Sequence, residues 1–420
     1  MCGSITKDMK IDMRKTGRVL WDFVSGAVGL FVMNAVLSFA VNPYLGNTLG
    51  AANQGRILYY SSLTALMGAT FGSGANYGRM KVHSSGEKTE NGEYNIFLLI
   101  TTAILFFVTL GAVLLKGGDK ADATLPGLFL LVSVTSVRYY ADVEYRLSLN
   151  YRRFSLFYIV IGAGYLLGLF LYRFTHSWVM IFLTGEIAGL LFVGFTGKIF
   201  KKPVMRVTPR FPAHLRILFV LSFSFLLSDF VAGADRLLLP LLLENGDEMT
   251  ALFYYASIIG KLMSLLSTPL NGVLAGHLYG KQGGITRKRF LQAVLLLAAV
   301  FVVVTGFSVL GSHLYIYWFY RPYYETVKPL FLLANAGQVI FFICNTMMVI
   351  VLRYTDEKVQ MLTAAVYVAV FLGCTIPLIL NFGIWGMAWG IFIVNTVKFL
   401  LYAVLGLIRI GRKGREEETS

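Results

Sequence analysis

The sequence predicts an all-α polytopic membrane protein with about twelve transmembrane helices, and three observations support this fold class. Of the 420 residues, 56% are hydrophobic and only 14% are charged, whereas a soluble domain carries about 25% charged residues. Apolar runs of roughly 20 residues, the length of a membrane span, recur along the whole chain between short polar segments. Lysine and arginine concentrate in every second polar segment. These features leave almost no water-soluble domain that could contain an enzyme.

Each predicted span is bounded by charged residues, Gly, Pro or Asn, which mark the ends of helices. The outer segment 311–328 is rich in Tyr and Trp, and it is expected to lie along the membrane interface as an aromatic anchor. The spans are expected at 19–41, 57–77, 95–115, 125–145, 154–172, 178–197, 215–243, 251–275, 290–310, 329–351, 361–380 and 386–408.

Positive charge is distributed unevenly between the two sides of the predicted bundle. The two terminal tails and the even-numbered loops hold 27 of the 37 Lys and Arg residues, and the opposite side holds six. Because Lys and Arg accumulate in cytoplasmic loops, both termini are predicted to be cytoplasmic. The net charge of +15 is attributed to attraction by anionic membrane lipids, and nucleic-acid binding is not expected.

The longest predicted cytoplasmic connection, 198–214, divides six spans from six. Its prolines, Pro203, Pro209 and Pro212, predict an extended linker. The sequence therefore predicts an N-terminal six-helix lobe at 1–197, a C-terminal six-helix lobe at 215–408 and a cytoplasmic tail at 409–420. The pair Tyr59–Tyr60 in the second span recurs as Tyr254–Tyr255 in the eighth, which favours a duplicated transporter architecture.

Four basic residues fall inside predicted spans, where charge is costly and indicates function by default. The seventh span is the richest, since it carries Arg236 together with Asp229 and Asp235. One interpretation is a self-neutralised structural pair that faces the bundle. The other is that Arg236 lines a central cavity and binds an anionic substrate, because its planar donor fork suits phosphate.

The other three embedded cations are Arg138, Lys261 and Lys398. Lys261 and Lys398 are too central in their spans to reach the interface easily, and Arg138 is deep enough for a cavity role. Glu186 in the sixth span is an available counterion. Asp229, Asp235 and Glu186 are counterions or protonation sites that couple movement to an ion gradient, and the sequence leaves both alternatives open.

Several classes of function are disfavoured by missing motifs. The sequence contains no P-loop and no HExxH, and its five histidines lack ligand spacing. Its three cysteines, Cys2, Cys344 and Cys374, show no pairing pattern, so disulfides and thiolate metal sites are not expected. Basic residues lead directly into a long first span, which is not the pattern of a cleavable signal peptide. Neither a metal nor another cofactor is predicted, and the chain is not expected to be an enzyme.

Four segments resemble the polysaccharide and O-antigen flippases of the multidrug/oligosaccharidyl-lipid/polysaccharide exporter superfamily. YLGNTLGAANQGRILYYSSL from Tyr44 is similar to the short Leu-Gly turn between spans one and two of that family. DRLLLPLLLENGDEMTALFYYAS from Asp235 is similar to its Asp-Arg at the outer end of span seven, followed by a tyrosine that opens span eight. NFGIWGMAWGIFIVN from Asn381 resembles its entry to the last helix, and VEYRLSLNYRRF from Val143 resembles its exit from span four.

The resemblance implies two six-helix lobes around a central, partly cationic cavity lined by spans one, two, seven and eight. Arg236 and Lys261 match that cavity by position, and Arg56 matches its outer mouth. The implied activity is alternating-access transport of undecaprenyl-pyrophosphate-linked oligosaccharides to the outer leaflet of a bacterial plasma membrane, for surface polysaccharide such as lipopolysaccharide O-antigen. A polysaccharide polymerase and glycosyltransferases are the implied protein partners, and membrane lipids surround the chain.

Two other functions compete with this flippase hypothesis. A multidrug or cation antiporter of the same superfamily should favour an acidic cavity, which Lys261 and Lys398 oppose and which Asp229 and Glu186 support. A membrane enzyme that polymerises or ligates glycans is disfavoured by short outer loops and by the absence of a catalytic cluster in the sequence.

Overall fold

The computed structural model describes residues 27–116, 121–264, 286–352 and 357–419, and these ranges contain helices and no strands. The predicted N-terminal tail, the start of the first span at 19–26 and the end of the eighth at 265–275 lie outside the described residues. The long helices are α1 (27–49), α2 (51–84), α3 (Asn91–Leu115), α4 (Ala121–Ala141), α5 (Tyr151–Thr175), α6 (Trp178–Thr196), α7 (Phe211–Leu242), α8 (Gly246–Ser264), α9 (Arg287–Phe319), α10 (Phe331–Leu352), α11 (357–382) and α12 (384–419).

Eight helical segments of the described chain are long and apolar enough to cross a membrane. Two of them, Ala27–Ser84 and Leu362–Ile410, each contain a glycine in the left-handed region, Gly50 at φ 78° and Gly383 at φ 57°. Glycine adopts this conformation without the steric penalty of a Cβ atom, so the chain turns back there and makes two crossings. Together with α4 and α8, these segments confirm the predicted all-α polytopic fold.

Several helices are longer than the predicted spans. α2 continues to residue 84, α9 to Phe319 and α12 to residue 419. The expected aromatic anchor at 311–328 is therefore not one interfacial segment, because its first part completes α9. The remainder forms two single turns, Arg321–Tyr323 and Lys328–Leu330, on either side of the short helix Tyr324–Val327. Each single turn has a proline in its first positions, where the missing N–H costs little.

The connection between α6 and α7 runs from Gly197 to Arg210 and contains the single turn Ile199–Lys201. α7 begins at Phe211, so Pro212 starts this helix and does not extend the linker as the sequence suggested. Proline is favoured in the first turn of a helix because its φ angle is already helical.

Buried apolar side chains form two main clusters that follow the order of the chain. One is built from residues 33–199, with Leu218 and Leu237 added from α7. The other is built from residues 231–394, with Ala51 and Leu58 added from α2. The N-terminal half (27–197) and the C-terminal half (211–419) therefore each have a core, and α2 and α7 contribute to both.

The two halves meet along α2, α7 and α8. A Cβ atom added to Gly55 of α2 would lie 1.6 Å from the carbonyl O of Asp247, which is at the start of α8. A Cβ atom added to Gly74 of α2 would lie 2.0 Å from Oγ of Ser222 in α7. Glycine at such contacts lets helix backbones approach closely. The charged residues of α7 and α8 are consequently held at the boundary between the halves.

Candidate functional site

Asp235 of α7 and Lys261 of α8 form an ion pair at the boundary between the halves. Nζ of Lys261 donates a hydrogen bond to Oδ2 of Asp235, whose carboxylate is almost completely buried. A buried charge is tolerated when it is paired and hydrogen-bonded. One of the two interpretations of the sequence paired the acidic residues of the seventh span with Arg236, whereas in the structure Asp235 pairs with Lys261. Consecutive helical residues point roughly 100° apart, and Lys261 reaches the Asp235 carboxylate from the adjacent helix.

Arg236 lies where α1, α7 and α8 converge. Its Nε atom is buried and has no hydrogen-bond partner within the described residues. Its charge is close enough to act on both Lys261 and the Tyr254 hydroxyl. That hydroxyl accepts a hydrogen bond of 2.7 Å from Nδ2 of Asn42 in α1. Because a buried donor without an acceptor is costly, Arg236 can gain from an anionic or carbonyl group of a bound molecule.

Asp229 lies two turns before Arg236 on α7 and is partly buried. Within the described ranges, no Lys or Arg nitrogen lies within 4.0 Å of its carboxylate. An embedded carboxylate of this kind can take up and release a proton or attract a cation. Among all the residues that the structure describes, no group of three or more His, Cys, Asp and Glu side chains is placed to hold a metal ion.

Arg138 of α4 and Glu186 of α6 form a buried ion pair inside the N-terminal half. Nε of Arg138 lies 2.6 Å from Oε2 of Glu186, and Nη2 lies 3.2 Å from Oε1. The Tyr165 hydroxyl of α5 donates to the same Oε1 at 2.9 Å. A cavity role was expected for Arg138, but its carboxylate partner comes from α6, and the tyrosine that donates to that carboxylate comes from α5, rather than from the boundary between the halves. Glu186 is its counterion.

Lys398 of α12 lies inside the C-terminal half, where its Nζ atom is 3.8 Å from the centre of the Tyr367 ring. The Tyr367 hydroxyl donates to Oδ1 of Asn395 at 2.8 Å. Asn395 also lines a small pocket that contains Asp235, so polar groups continue from the boundary toward Lys398. The face of an aromatic ring attracts an ammonium group, which accounts for a lysine at this depth.

Arg56 lies near the start of α2, at the end of the bundle that the sequence predicts to face outward and that we call the outer end. Its Nε atom is 3.3 Å from Oδ2 of Asp247. Nζ of Lys116, just after α3, lies 2.6 Å from Oδ1 of the same carboxylate and 2.9 Å from the carbonyl O of Pro240. Asp247 of the C-terminal half thus binds two basic residues of the N-terminal half. Arg56 is placed at the outer end of the boundary, where these contacts close the two halves together.

Uncharged polar residues, to which the sequence assigned no role, complete this outer contact. Gln54 is fully buried, and its Nε2 atom donates to the carbonyl O of Asn42 at 2.9 Å. Its Oε1 atom accepts a hydrogen bond from the Tyr255 hydroxyl. The rings of Tyr255 and Tyr320 have centroids 4.0 Å apart. These residues join α1, α2, α8 and the end of α9.

Hydrogen bonds between the N-terminal half and residues 287–419 are confined, as far as the structure describes the chain, to the outer half of the bundle. They join Tyr315 to Ser38, Phe319 to Asn47, Tyr320 to Gln54 and Tyr323 to Ala51. The described boundary is therefore closed at its outer end, and Asp235, Arg236 and Lys261 lie deeper in the bundle.

This architecture is that of a polytopic membrane protein with the fold of MATE transporters. A MATE structure in complex with MaD5 has a TM-score of 0.65 at 14% identity, and the match covers 94% of this chain and 96% of that chain. An inward-facing multidrug resistance MATE family transporter of the MOP superfamily has a TM-score of 0.62 at 14% identity, with 94% and 95% covered. A MOP superfamily transporter from Pyrococcus furiosus has a TM-score of 0.61 at 14% identity, with 93% and 95% covered.

No family model matches the sequence, and no curated protein matches it either. At 14% identity this likeness shows the fold, and it agrees with the helical membrane fold that the sequence resemblance implied. Membership of the superfamily and of its polysaccharide branch stay predictions.

Proposed function

We propose that this chain is an alternating-access membrane exporter whose substrate binds at the boundary between the halves, beside the charged residues of α7 and α8. The observation that carries this proposal is the closure of the outer end by Asp247 and Gln54 above a deeper charged site. A transporter closed on its outer side loads its substrate from the inner side, and rocking of the halves then exposes the same site outward. The shared fold of MATE transporters supports this mechanism.

The first candidate substrate is an amphipathic organic cation, exported by antiport. Three of the five cations that the sequence assigned to a cavity are paired with carboxylates, and Lys398 lies against an aromatic ring. The boundary site is therefore close to neutral, and Asp229 supplies a carboxylate without a cationic partner in the described residues. A proton or sodium ion at this carboxylate would exchange with the substrate cation. One of the structures with this fold is a multidrug resistance transporter.

The second candidate substrate is a lipid-linked oligosaccharide, and the buried, unpartnered Nε atom of Arg236 favours it. A guanidinium binds phosphate oxygens with strong, directional hydrogen bonds, so Arg236 would hold the pyrophosphate while the lipid chain stays in the bilayer. The Pyrococcus furiosus transporter is described as having a binding pocket of reverse polarity that suggests a different function. This indicates that one fold serves pockets of more than one polarity.

The two candidates are separated by neutralising one charge at a time in cells that lack the native gene. Asp229→Asn removes the carboxylate, and Arg236→Gln removes the guanidinium. Glu248→Gln at the start of α8 and Arg216→Gln on α7 are matched controls, because both side chains are exposed. Efflux of ethidium tests the organic-cation reading. The amount of lipid-linked oligosaccharide retained in the inner leaflet tests the second candidate, the flippase.

Loss of ethidium efflux in Asp229→Asn, at equal protein level, would support the antiporter. Accumulation of lipid-linked oligosaccharide in Arg236→Gln, with unchanged controls, would support the flippase. If deletion of the gene changes neither quantity, and the purified protein in liposomes moves neither substrate, the proposed exporter is wrong.

A further inference from the structure

A second polar pocket lies at the opposite end of the bundle from the closed outer contact. It has a volume of about 330 Å³ and is formed where the end of α2, the exit of α4 and the linker before α7 meet. Arg79 and His83 come from α2, Thr89 from the following loop, Glu144 and Ser148 from the exit of α4, and Lys202 from the linker. We refer to it as the Arg79 pocket.

Arg79 is the buried charge of this pocket, with 7% of its surface exposed. Its Nη1 atom donates to Oδ1 of Asn91 at 2.9 Å and to the Tyr140 hydroxyl. Its guanidinium carbon lies 5.0 Å from the centre of the Tyr94 ring. Within the described residues, no carboxylate oxygen lies within 4.0 Å of its nitrogens. A buried cation whose partners are all neutral is incompletely compensated, and an anion in the adjacent pocket would compensate it.

Lys202 and His83 supply further donors to the same pocket, and Glu144 is the one carboxylate among its lining residues. An anion that binds here must therefore accept hydrogen bonds from the cations and also donate one to Glu144. Hydrogen phosphate and a singly protonated phosphate monoester meet both requirements, because each retains a P–OH group. Sulfate is fully deprotonated near neutral pH, so it would place acceptor oxygens against the carboxylate.

We propose that the Arg79 pocket binds hydrogen phosphate or the headgroup of a phosphate monoester, with Arg79 and Lys202 as the cationic contacts and Glu144 as the acceptor of the phosphate proton. This site is separate from the charged residues of α7 and α8. Because Lys202 belongs to the linker between the halves, a bound anion ties that linker to α2. Under the rocking mechanism of the proposed function, occupancy of the pocket restrains the connection between the halves.

The test is equilibrium binding of radiolabelled inorganic phosphate to the purified full chain in detergent, with unlabelled sulfate as competitor. Lys202→Gln is expected to weaken phosphate binding about two- to fivefold, the effect of losing one exposed ion pair. Lys201→Gln is the matched control, since it removes the same charge from the neighbouring exposed residue and is expected to bind like the wild type. Glu144→Gln is expected to let sulfate compete as well as phosphate. These variants leave the buried Arg79 in place, so folding is preserved.

The source of the phosphate group is resolved in nanodiscs of phosphatidylcholine with or without phosphatidic acid. If phosphatidic acid abolishes binding of the labelled phosphate, the pocket holds a lipid headgroup; if binding persists, it holds a soluble phosphate. Either result supports the site. Absence of phosphate binding in detergent and of any effect of phosphatidic acid on protein stability would overturn it. Equal losses in Lys202→Gln and Lys201→Gln would also overturn it, because they would indicate diffuse surface attraction.

Discussion

Arg138 and Glu186 face each other across the interior of the N-terminal half, with Nε of Arg138 2.6 Å from Oε2 of Glu186. Removing one member of a buried ion pair leaves an uncompensated charge, which costs about 3–5 kcal/mol. We therefore expect Arg138→Leu to lower the free energy of unfolding by that amount, as measured by unfolding in mixed micelles. Combining it with Glu186→Leu should recover most of the loss.

The exposed Arg152 is the control for this experiment, since Arg152→Leu should have little effect on stability. If Arg138→Leu is as stable as the wild type but fails to transport, Arg138 contacts the substrate and the pair is not structural.

The ion pair between Asp235 and Lys261 should be essential, and it should be restorable by exchange. Asp235→Asn leaves Lys261 without its buried counterion, so transport and stability are both expected to fall. The double variant Asp235→Lys with Lys261→Asp restores the opposite charges on α7 and α8, and it should recover more protein stability than either single change. Melting temperatures and transport rates of the wild type, Asp235→Lys, Lys261→Asp and the double variant, measured side by side, test this. A double variant no better than the worse single variant would show that the two positions do not act as a pair.

Close contact of α2 and α8 should depend on Gly55. A Cβ atom there would lie 1.6 Å from the carbonyl O of Asp247, so Gly55→Ala should push the outer ends of the halves apart. Spin labels at Asn53→Cys and Glu248→Cys, both on exposed side chains, would report a longer distance in this variant. The native cysteines are replaced in this background.

Gly111→Ala is the matched control, because no atom lies within 4 Å of the position of its added Cβ. It should leave the spin-label distance unchanged. An unaltered distance in Gly55→Ala would indicate that α8 can shift without opening the boundary.

His214, at the start of α7, should stabilise the attachment of α7 to the N-terminal half. Its Nδ1 atom lies 2.7 Å from Oε2 of the fully buried Glu93, and its Nε2 atom lies 3.2 Å from Oε2 of Glu87. Both ring nitrogens face carboxylates, which suits the doubly protonated ring. His214→Leu should lower the free energy of unfolding by about 3 kcal/mol, because Glu93 loses its buried partner.

Glu90→Gln is the control for His214→Leu. It removes the partly exposed contact of Glu90 with Arg206 at 3.4 Å, so it should cost under about 1 kcal/mol. Equal losses in the two variants would contradict a special role of His214.

Hydrogen bonds from His214 and Arg210 lower the pKa of the Glu87 carboxyl. Stabilisation by Glu87 is therefore present above the pKa of this carboxyl in the unfolded chain and is lost as the pH falls through the lower folded value.

Much of the fold could be predicted because hydrophobic length is a local property of the chain. The all-α class and the twelve crossings follow from apolar runs and short loops. Helix ends were less predictable: α9 continues through aromatic residues to Phe319, and α12 continues to residue 419. Hydropathy falls at such points although the backbone remains helical, because helical hydrogen bonds persist outside the apolar layer.

The candidate site was predicted less completely. The embedded cations and the carboxylates available to them could be identified, since charged residues stand out in apolar runs. Which cation pairs with which carboxylate could not be predicted. A single amide beside a loop carries no periodic signal, so the sequence does not single out Gln54. Tyr255 stands out only as part of a repeat of Tyr59–Tyr60, and its contact with Gln54 joins residues 201 positions apart.

The sequence by itself determined that this protein resides in a membrane, and it determined which charges are embedded there. Only the tertiary structure decided which of those charges are neutralised. The ion pairs of Arg138, Lys261 and Arg56 join residues 48, 26 and 191 positions apart. Hydrophobicity is set by each segment alone, whereas an ion pair forms only when packing brings two helices together. Packing leaves Arg236 and Asp229 without charged partners within the described residues, and the proposed substrates differ in which of these two residues they would engage.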